Sequence, residues 1–342
     1  MKIHSSNERQ LVKKILKNLG VSDLQANVVA EATLDADIKG FTSHGLGRFP
    51  QYINGLENGF IKAQGEIDIV KENISTALID GNSLFGQYVA HEAMNLAISK
   101  ASKTGIGAVG TFNSNHFGVA GFYSDIAVFN DMIGVVMCNT APAVAPFGGS
   151  RAILGTNPLA IGIPTKKYVS VDMATSVSAR GKLLEAKRKG IAIPEGVAID
   201  CEGNPTTDPD EALKGSILPF GGVKGYALNF MIEILCGPLV NAAFGEDVKG
   251  TAGDYKENCN KGDLFIAIDP SKFVEIGTFK EQVEQLIEDM RTTGNIRIPG
   301  DGTVAKYLKN QKNGLEIDEN LFKTLNTICT NLDIDINEYI EE

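Results

Sequence analysis

The sequence lacks the cysteine patterns that mark small secreted domains and zinc ribbons. Its cysteines are Cys138, Cys201, Cys236, Cys259 and Cys329, an odd number, and they are scattered without a CxxC pair. A disulfide framework needs an even set of cysteines, and a cysteine-rich metal site needs closely spaced ones. Clusters of histidine, cysteine and carboxylate with the spacing of metal ligands are absent as well. We therefore expect free thiols and no bound metal.

Positive charge and membrane-spanning runs are also scarce. The chain has 32 lysines and arginines against 42 acidic residues, a net charge of −10. This balance argues against general binding to nucleic acids or to an anionic membrane. No uninterrupted apolar run is long enough to cross a bilayer, and the N-terminal residues lack the apolar core of a signal peptide. We expect a cytoplasmic protein without nucleic-acid or membrane partners.

The rest of the composition is that of a globular protein. Of the 342 residues, 43% are hydrophobic and 22% are charged, so the chain can bury a large core. Apolar residues at helical spacing predict two N-terminal helices, which end at Gly20 and Gly40. Ser22 precedes the second helix, with Gln25 as its capping-box partner. Helix-like and strand-like segments follow in mixed order and predict an α/β protein.

The segment from Gly105 to Gly110 matches the dinucleotide-binding pattern GxGxxG. That motif works only when a strand precedes the glycines and a helix follows them, because the helix N-terminus then faces the pyrophosphate. Here a predicted helix, Gln87 to Lys103, comes first, and a strand-like run follows. The sequence therefore predicts that this match is not the phosphate loop of a Rossmann domain.

A single histidine, His116, lies in a polar turn punctuated by glycines. An apolar run from Ile106 to Val109 precedes this turn, and a helix-like segment from Val119 to Phe129 follows it. Histidine is the side chain whose ordinary pKa lies nearest neutrality, and it is the usual proton carrier in catalysis. His116 is thus a candidate catalytic residue. The alternative is an ordinary histidine of a surface loop.

Three polar residues, His44, Arg48 and Tyr52, recur at intervals of four. They lie on one face if the segment is helical. Pro50 requires that helix to begin near Gly47, because proline suits a first turn. A proton carrier, a phenol and a guanidinium that can bind a carboxylate through two hydrogen bonds suit an acidic substrate. The alternative is a helix N-terminus with solvated polar side chains.

Other candidate ligand groups follow predicted strands. Thr140 comes after the strand Ile133 to Cys138, and Thr175 and Ser176 follow a strand from Tyr168 to Val171. Strand ends commonly present ligand groups, and a basic helix after Ser176 could favour a nucleotide phosphate. These segments could equally be ordinary turns and a solvated basic face.

A lysine among glycines, Lys224, stands at the mouth of a long apolar helix, Ala227 to Val240. Backbone N–H groups, the helix dipole and the ammonium group would converge there on an anion. The spacing is not that of a P-loop, so the sequence predicts an anion site of another kind.

Seven short motifs, taken in order, resemble the type 2 malate/L-lactate dehydrogenase family, which includes L-sulfolactate, ureidoglycolate and 2,3-diketogulonate oxidoreductases. The resemblance runs from about Ser22 to Gly300. The family often has Pro-Gly-Glu where this chain has Pro299-Gly300-Asp301. The motifs are Ser-His-Gly-x-x-Arg (43–48), Asn-His-Phe-Gly (115–118), Pro-Phe-Gly-Gly (146–149), Gly-Thr-Asn-Pro-Leu-Ala (155–160), Asp-Met-Ala-Thr-Ser (172–176), Pro-Thr-Thr-Asp-Pro (205–209) and Gly-x-Lys-Gly-Tyr (222–226).

The resemblance implies an α/β, non-Rossmann NAD(P)-binding fold with a mixed, largely antiparallel sheet and a helical N-/C-terminal domain. Residues 1–75 with 300–342 would form that helical, dimerisation and substrate-side domain. Residues 76–299 would form the dinucleotide-binding and catalytic region. An intertwined homodimer with its active site near the subunit boundary is implied as well.

By similarity, the enzyme would transfer a hydride between NAD or NADP and a small 2-hydroxy or 2-keto carboxylic acid. His116 would accept the hydroxyl proton, and His44 is a second candidate. Arg48 would hold the substrate carboxylate, with Ser43 and Tyr52 also on the substrate side. The residues implied to contact the dinucleotide are Thr140, Asp172, Met173, Ala174, Thr175, Lys224, Gly225, Gly300, Asp301 and Gly302.

Three alternatives to a malate- or lactate-like reaction stay open. The substrate could be sulfolactate, ureidoglycolate or diketogulonate. The reaction could be reduction of a cyclic imino acid such as piperideine-2-carboxylate. The chain could also be a nucleotide-binding regulatory protein without turnover. The choice between NAD and NADP is open too, because the run Lys187-Arg188-Lys189 would suit a 2′-phosphate or a solvated helix face.

Overall fold

The computed structural model describes residues 1–251 and 257–341. Helices alternate irregularly with strands along this part of the chain. The helices are α1 (Ser5–Asn18), α2 (Asp23–Ile38), α3 (Phe49–Glu57), α4 (Gly86–Thr104), α5 (Ala120–Phe129), α6 (Arg180–Lys189), α7 (Pro209–Lys214), α8 (Val223–Cys236), α9 (Ile276–Thr292), α10 (Asp301–Asn313) and α11 (Glu319–Asn331).

The strands form one large sheet and two small ones. They are β1 (Lys2–Ile3), β2 (Asp68–Glu72), β3 (Thr76–Asp80), β4 (Ile106–Phe112), β5 (Ile133–Cys138), β6 (Leu159–Ile163), β7 (Val169–Met173), β8 (Ala198–Ile199), β9 (Pro205–Thr206), β10 (Ser216–Ile217), β11 (Asp263–Ile268), β12 (Leu315–Glu316) and β13 (Ile340–Glu341).

The large sheet has seven strands in the order β2-β3-β4-β11-β5-β6-β7. Only β3 and β4 run parallel, and every other neighbouring pair in it is antiparallel. The predicted mixed, largely antiparallel sheet is therefore confirmed. Its central strand β11 carries the fully buried Phe265 and Ala267.

Helices cover both faces of this sheet. α4 packs on β4 and β11, α5 packs on β5 and β6, and α8 packs on β5 and β11. The glycines of the GxGxxG match serve this packing. Gly105 ends α4 with φ +87°, and a Cβ on Gly107 would lie 2.0 Å from the Ala97 carbonyl oxygen of α4. These glycines therefore allow close contact between helix and strand. This agrees with the prediction that the match is not a phosphate loop.

The two ends of the chain meet in a small sheet in which β1 lies between β12 and β13. Ile3 pairs with Leu315 on one side and with Ile340 on the other. The division into two domains at residue 75 remains a prediction. β2 lies before that boundary, yet it pairs with β3 in the large sheet.

Two local predictions need correction. The Ser22 side chain does accept a hydrogen bond from the Gln25 N–H, but Gln25 does not return it. The Gln25 amide instead donates to the Ala63 carbonyl and accepts from the Phe85 N–H, so it ties α2 to the start of α4. The segment Gly300 to Gly302, expected as a turn, is the beginning of α10.

α8 lies in an apolar segment, residues 223–240, that Lys224 and Glu233 interrupt. By length and composition alone, this segment could cross a bilayer. Within the protein, however, the buried face of α8 carries the polar Asn229 and Glu233 beside the apolar Ile232 and Cys236. Asn157 Nδ2 donates to Asn229 Oδ1 at 2.7 Å and to Glu233 Oε2 at 2.6 Å.

Candidate active site

His116 lies in the loop that joins β4 to α5. The loop is held from behind by Asn115, whose amide nitrogen is within hydrogen-bond distance of the Ser83 and Leu84 carbonyl oxygens, at 3.0 and 2.9 Å. A Cβ on Gly86 would lie 2.1 Å from the Asn115 carbonyl oxygen, so the loop rests directly on the start of α4. The fold thus fixes the backbone around His116 on two sides.

The imidazole of His116 is held at its Nδ1 atom. Tyr52 Oη lies 2.9 Å from Nδ1, and the Gly118 N–H donates to the same nitrogen at 3.2 Å. Burial lowers the pKa of His116 well below its ordinary value, and the positive charge of Arg48 lowers it further. His116 is therefore neutral near pH 7, the form that can accept a proton.

His44 corrects the expectation of a continuous helical face. It lies in a turn before the 3₁₀ helix Leu46–Arg48, and only Tyr52 lies on α3. Gly45 breaks the helical path with φ −92° and ψ −136°. Nevertheless the His44 and His116 rings stack with centroids 5.6 Å apart.

The two histidines share an electrostatic environment. Burial lowers the pKa of His44 to about 4, and Arg48 adds to this effect. Ser43 Oγ lies 2.9 Å from His44 Nδ1, so Ser43 belongs to the same cluster. The structure thus brings together all the predicted catalytic and substrate-side residues: Ser43, His44, Arg48, Tyr52 and His116.

Arg48 keeps part of its hydrogen-bonding capacity unused. Nη2 donates to the Thr251 carbonyl oxygen at 3.0 Å. Its Nε is buried and has no hydrogen-bond partner in the part of the chain that the structure describes. A buried donor left in this way is costly unless a ligand satisfies it. The geometry suits an anionic substrate group.

The predicted cofactor residues lie along β7 or in segments beside it, although several also have structural roles. Thr140 Oγ1 accepts from the Thr156 N–H at 3.0 Å, and Thr175 Oγ1 lies 2.9 Å from the Asn157 carbonyl oxygen. These two hydroxyls hold neighbouring loops in place. Their backbone atoms and their position remain compatible with a nearby ligand.

Asp172 connects β7 to the first turn of α5, which directly follows the loop that carries His116. Its Oδ2 accepts from the Gly121 N–H at 2.7 Å, and burial raises the pKa of Asp172 to about 6. Met173 and Ala174 follow it and are at least partly exposed. The cleft beside Asp172 is lined by Lys39, Phe41, Val119, Gly121, Tyr168, Ser170 and Thr303.

The Gly300 segment joins this cleft from the other side. A Cβ on Gly300, which has φ +105°, would lie 2.8 Å from the Tyr168 carbonyl oxygen. Asp301 Oδ2 accepts from the Ile298 N–H at 3.0 Å, and a Cβ on Gly302 would meet no atom of residues 1–251 and 257–341 within 4 Å. Gly300 and Asp301 therefore shape the backbone, while Gly302 leaves space.

Lys224 is exposed in the first turn of α8, next to the chain segment that follows β7. The N-cap of this helix is Gly222, and no side chain of the described residues caps its N–H groups. Free N–H groups, a helix N-terminus and an ammonium group fit the phosphates of a dinucleotide. Gly225 has a packing role, because a Cβ there would lie 1.7 Å from the Phe220 carbonyl oxygen.

One charged residue near the site, Lys261, was not predicted from the sequence. Lys261 is fully buried, forms an ion pair with Asp263, and places its Nζ 4.5 Å from the centre of the Phe117 ring. Its charge also lowers the pKa of His116. The only signal was a lysine two residues before an aspartate at the start of a strand, which is too common to be informative.

The malate/L-lactate dehydrogenase family model matches residues 3–326. The chain belongs to this family. The chain is 59% identical over 337 residues to the L-sulfolactate dehydrogenase of Methanothermobacter thermautotrophicus, and the match covers 98% of each chain. It is 57% identical to the malate/(S)-sulfolactate dehydrogenase of Methanothermus fervidus, covering 98% of this chain and 99% of that one.

A solved structure supports the same assignment. The sulfolactate dehydrogenase of Methanocaldococcus jannaschii matches with a TM-score of 0.95 and 49% identity, covering 100% of both chains. The predicted resemblance and fold class are confirmed. The predicted enzyme class, an NAD(P)-dependent 2-hydroxy acid dehydrogenase, is confirmed as well.

Proposed function

We propose that this enzyme interconverts sulfolactate or malate with the corresponding 2-keto acid. The observation that carries the proposal is the cluster of two neutral histidines beside Arg48, whose Nε has no partner among the described residues. Two relatives more than half identical to this chain are named for sulfolactate, and one of them also for malate. In both acids, the carbon next to the one that bears the hydroxyl carries a second anionic group. A second anionic group suits a positively charged pocket.

In this mechanism His116 accepts the hydroxyl proton during oxidation and returns it during reduction. Burial and the charge of Arg48 keep the imidazole neutral and able to accept. Arg48 binds the carboxylate and fixes the orientation of the reacting carbon. His44 is the alternative proton carrier, and Ser43 and Tyr52 orient the two rings. When bound, the nicotinamide ring supplies the acceptor for the hydride.

We further propose that Lys224 and the α8 N-terminus hold the dinucleotide phosphates. The segments around Thr140, 172–175 and 300–302 would enclose the rest of the cofactor. The structure offers little support for a 2′-phosphate on the basic run of α6. Lys187 pairs with Asp210, and Lys189 pairs with Glu185 at 2.5 Å. These ion pairs favour the interpretation of a solvated helix face.

The test is a substrate screen with both cofactors, followed by the absorbance of NADH or NADPH. Sulfolactate, malate, lactate, ureidoglycolate and diketogulonate are oxidised separately, and piperideine-2-carboxylate is offered for reduction. We expect the highest kcat/KM with sulfolactate or malate. A higher value for the cyclic imine or ureidoglycolate would contradict the proposal. Tight dinucleotide binding without any turnover would indicate a regulatory protein.

A cytoplasmic homodimer is also proposed. Four apolar residues on one face of α8 are exposed, and we call them the α8 patch: Val223, Phe230, Met231 and Ile234. Such a contiguous apolar face usually marks a contact surface. The net charge of −10 disfavours an anionic membrane as the partner. A second copy of the chain at the α8 patch would place the subunit boundary beside Lys224.

A further inference from the structure

Asn157 lies at the edge of the large sheet, just before β6. The register of this sheet pairs Met137 with Leu159 and Leu159 with Met173, so the end of β5, the beginning of β6 and the end of β7 lie side by side. Asn157 is fully buried at this edge. Its φ of +30° lies in the left-handed region, which asparagine tolerates better than most residues. The fold thus places one polar side chain between the segments that follow β5 and β7.

Both threonines predicted to contact the dinucleotide lie within hydrogen-bond distance of Asn157. The Asn157 Oδ1 atom accepts from the Thr140 N–H at 3.1 Å. The Asn157 backbone carbonyl oxygen lies 2.9 Å from Thr175 Oγ1. Because Asn157 has no exposed surface, any effect that it has on a bound cofactor must be transmitted by these two threonine segments.

The helix α8 holds the Asn157 amide from the other side. Asn157 Nδ2 donates to Asn229 Oδ1 at 2.7 Å and to Glu233 Oε2 at 2.6 Å. The first turn of the same helix carries Lys224, the residue that we expect to bind phosphate. Asn157 therefore connects the helix that carries Lys224 to the two threonine segments.

The partners of the Asn157 amide allow only one orientation of it. The Thr140 N–H can only donate, so the atom of Asn157 that faces it is the oxygen. Nδ2 then faces Glu233, whose carboxylate oxygen accepts from it. The other oxygen, Glu233 Oε1, accepts from Asn139 Nδ2 at 3.2 Å and from the Gly245 N–H at 2.8 Å. Since both oxygens of Glu233 face donors, a glutamine at this position would bring two donors together.

We propose that Asn157 is a positioning residue for the dinucleotide, and that Glu233 fixes the orientation of its amide. Asn157 holds the threonine segments at a set distance from α8, so the cofactor binds to segments that are already in place. Both N–H donors and the oxygen of the amide serve this connection. The inference rests on the proposed function, in which Lys224 and the segments around Thr140 and Thr175 hold the cofactor.

The first test measures dinucleotide binding without turnover. The dissociation constants of NADH and NADPH are determined by fluorescence titration of the wild type, Asn157→Asp and Glu233→Gln. Asn157→Asp brings two acceptors together, and Glu233→Gln brings two donors together. Each should therefore raise the Kd of the dinucleotide that the wild type binds by about tenfold. Equal Kd values in the three proteins would overturn the proposal.

The double variant Asn157→Asp/Glu233→Gln exchanges the carboxylate and the amide between the two positions. The new amide can donate to the new carboxylate, which still accepts from the Thr140 N–H. Only the contact with Asn229 Oδ1 stays lost, and the net charge equals that of the wild type. We expect the double variant to bind the dinucleotide more tightly than either single variant. Independent effects would multiply to a loss of about a hundredfold, and that result would contradict the proposal.

Kinetics separate positioning from a general loss of structure. In Glu233→Gln, the KM for the dinucleotide should rise by about tenfold while kcat at saturating cofactor and substrate stays within about twofold of the wild type. Partial unfolding alone would lower kcat and leave KM unchanged. Asn82→Asp is the matched control, because Asn82 Nδ2 also donates to a carboxylate, Asp68 Oδ2, at 2.9 Å, on the opposite edge of the sheet. It should keep the wild-type Kd and KM.

Hydrogen exchange of the protein without cofactor gives a further readout. In Glu233→Gln, exchange around Thr140 should be faster than in the wild type, because the acceptor of its N–H is no longer fixed. If Asn157→Asp does not fold, Glu233→Gln, which retains Asn157, decides through Kd and exchange. A wild type that binds a dinucleotide but oxidises none of the acids would refute the proposed substrate and leave this result intact. A wild type that binds neither dinucleotide would overturn both proposals.

Discussion

Burial and neighbouring positive charge act on His116 in the same direction. Both favour the neutral ring, and the hydrogen bonds at Nδ1 leave the opposite nitrogen for the substrate. His44 stacks beside it and is neutral for the same reasons. Both rings are therefore neutral near pH 7, and a substitution series distinguishes the two candidates.

Replacing each histidine by alanine should identify the proton carrier. We expect His116→Ala to lower kcat by roughly two to four orders of magnitude, the usual contribution of a general acid–base group. His44→Ala should have a smaller effect, because it then contributes only packing and orientation. Steady-state kinetics on sulfolactate and malate provide the measurement.

His91→Ala is the matched control for this series. His91 is partly buried on α4 and contacts Glu92 and Asn95, away from the cluster. It should retain wild-type turnover. A larger loss in His44→Ala than in His116→Ala would reverse the assignment of the proton carrier.

Arg48→Lys should reduce kcat/KM by about 10- to 100-fold, mostly through KM. Lysine keeps the charge but cannot provide the planar, two-pronged donor set that a carboxylate binds. Arg9→Lys is a suitable control, because Arg9 makes a two-pronged pair with Glu31 on the α1–α2 surface. An Arg48→Lys enzyme with unchanged KM would show that the carboxylate binds elsewhere.

Among the elements, local patterns predicted most helices and strands. Ile133–Cys138 and α4 follow from apolar spacing and from the glycine that ends the helix. The start of α10 was not predicted, because Gly300 and Gly302 are typical turn residues, and Gly300 is in fact the N-cap of the helix. The role of Lys261 depends on Phe117, a partner distant in sequence, so residue spacing carries no signal for it.

The helices α1 and α2 support the turn that carries His44 through a buried carboxyl group, that of Asp37. Asp37 Oδ2 accepts from the Leu46 N–H at 2.6 Å, and a Cβ on Gly45 would lie 2.1 Å from the Asp37 carboxyl group. Glu8 of α1 is fully buried nearby. Burial raises the pKa of Asp37 to about 7, and burial and the Asp37 charge raise the pKa of Glu8.

This arrangement predicts that the contribution of Asp37 to the free energy of unfolding falls as pH rises. The folded state binds protons more tightly than the unfolded chain, so the contribution is full below about pH 4 and is lost toward about pH 7. Asp37→Asn should flatten this dependence, which urea unfolding across that range measures. Asp23→Asn, an exposed acid at the start of α2, should leave the slope as in the wild type. A wild-type slope in Asp37→Asn would contradict the prediction.

At the scale of the whole molecule, the α8 patch determines the proposed dimer. Phe230→Glu places a charge in an apolar contact and should convert a dimer into a monomer, as measured by sedimentation. Phe129→Glu, another exposed phenylalanine outside the patch, is the control and should leave the assembly unchanged. A Phe230→Glu protein with wild-type sedimentation would place the interface elsewhere or exclude the dimer.

The small sheet formed by β12, β1 and β13 also affects the order in which the chain folds. β1 pairs with β12 on one edge and with β13 on the other. Ile3 can therefore pair on both edges only after Ile340 has been synthesised. During translation, β1 therefore stays unpaired until β12 and β13 have been synthesised, and contacts of such long sequence separation form slowly. Completion of this sheet is thus a late step in folding.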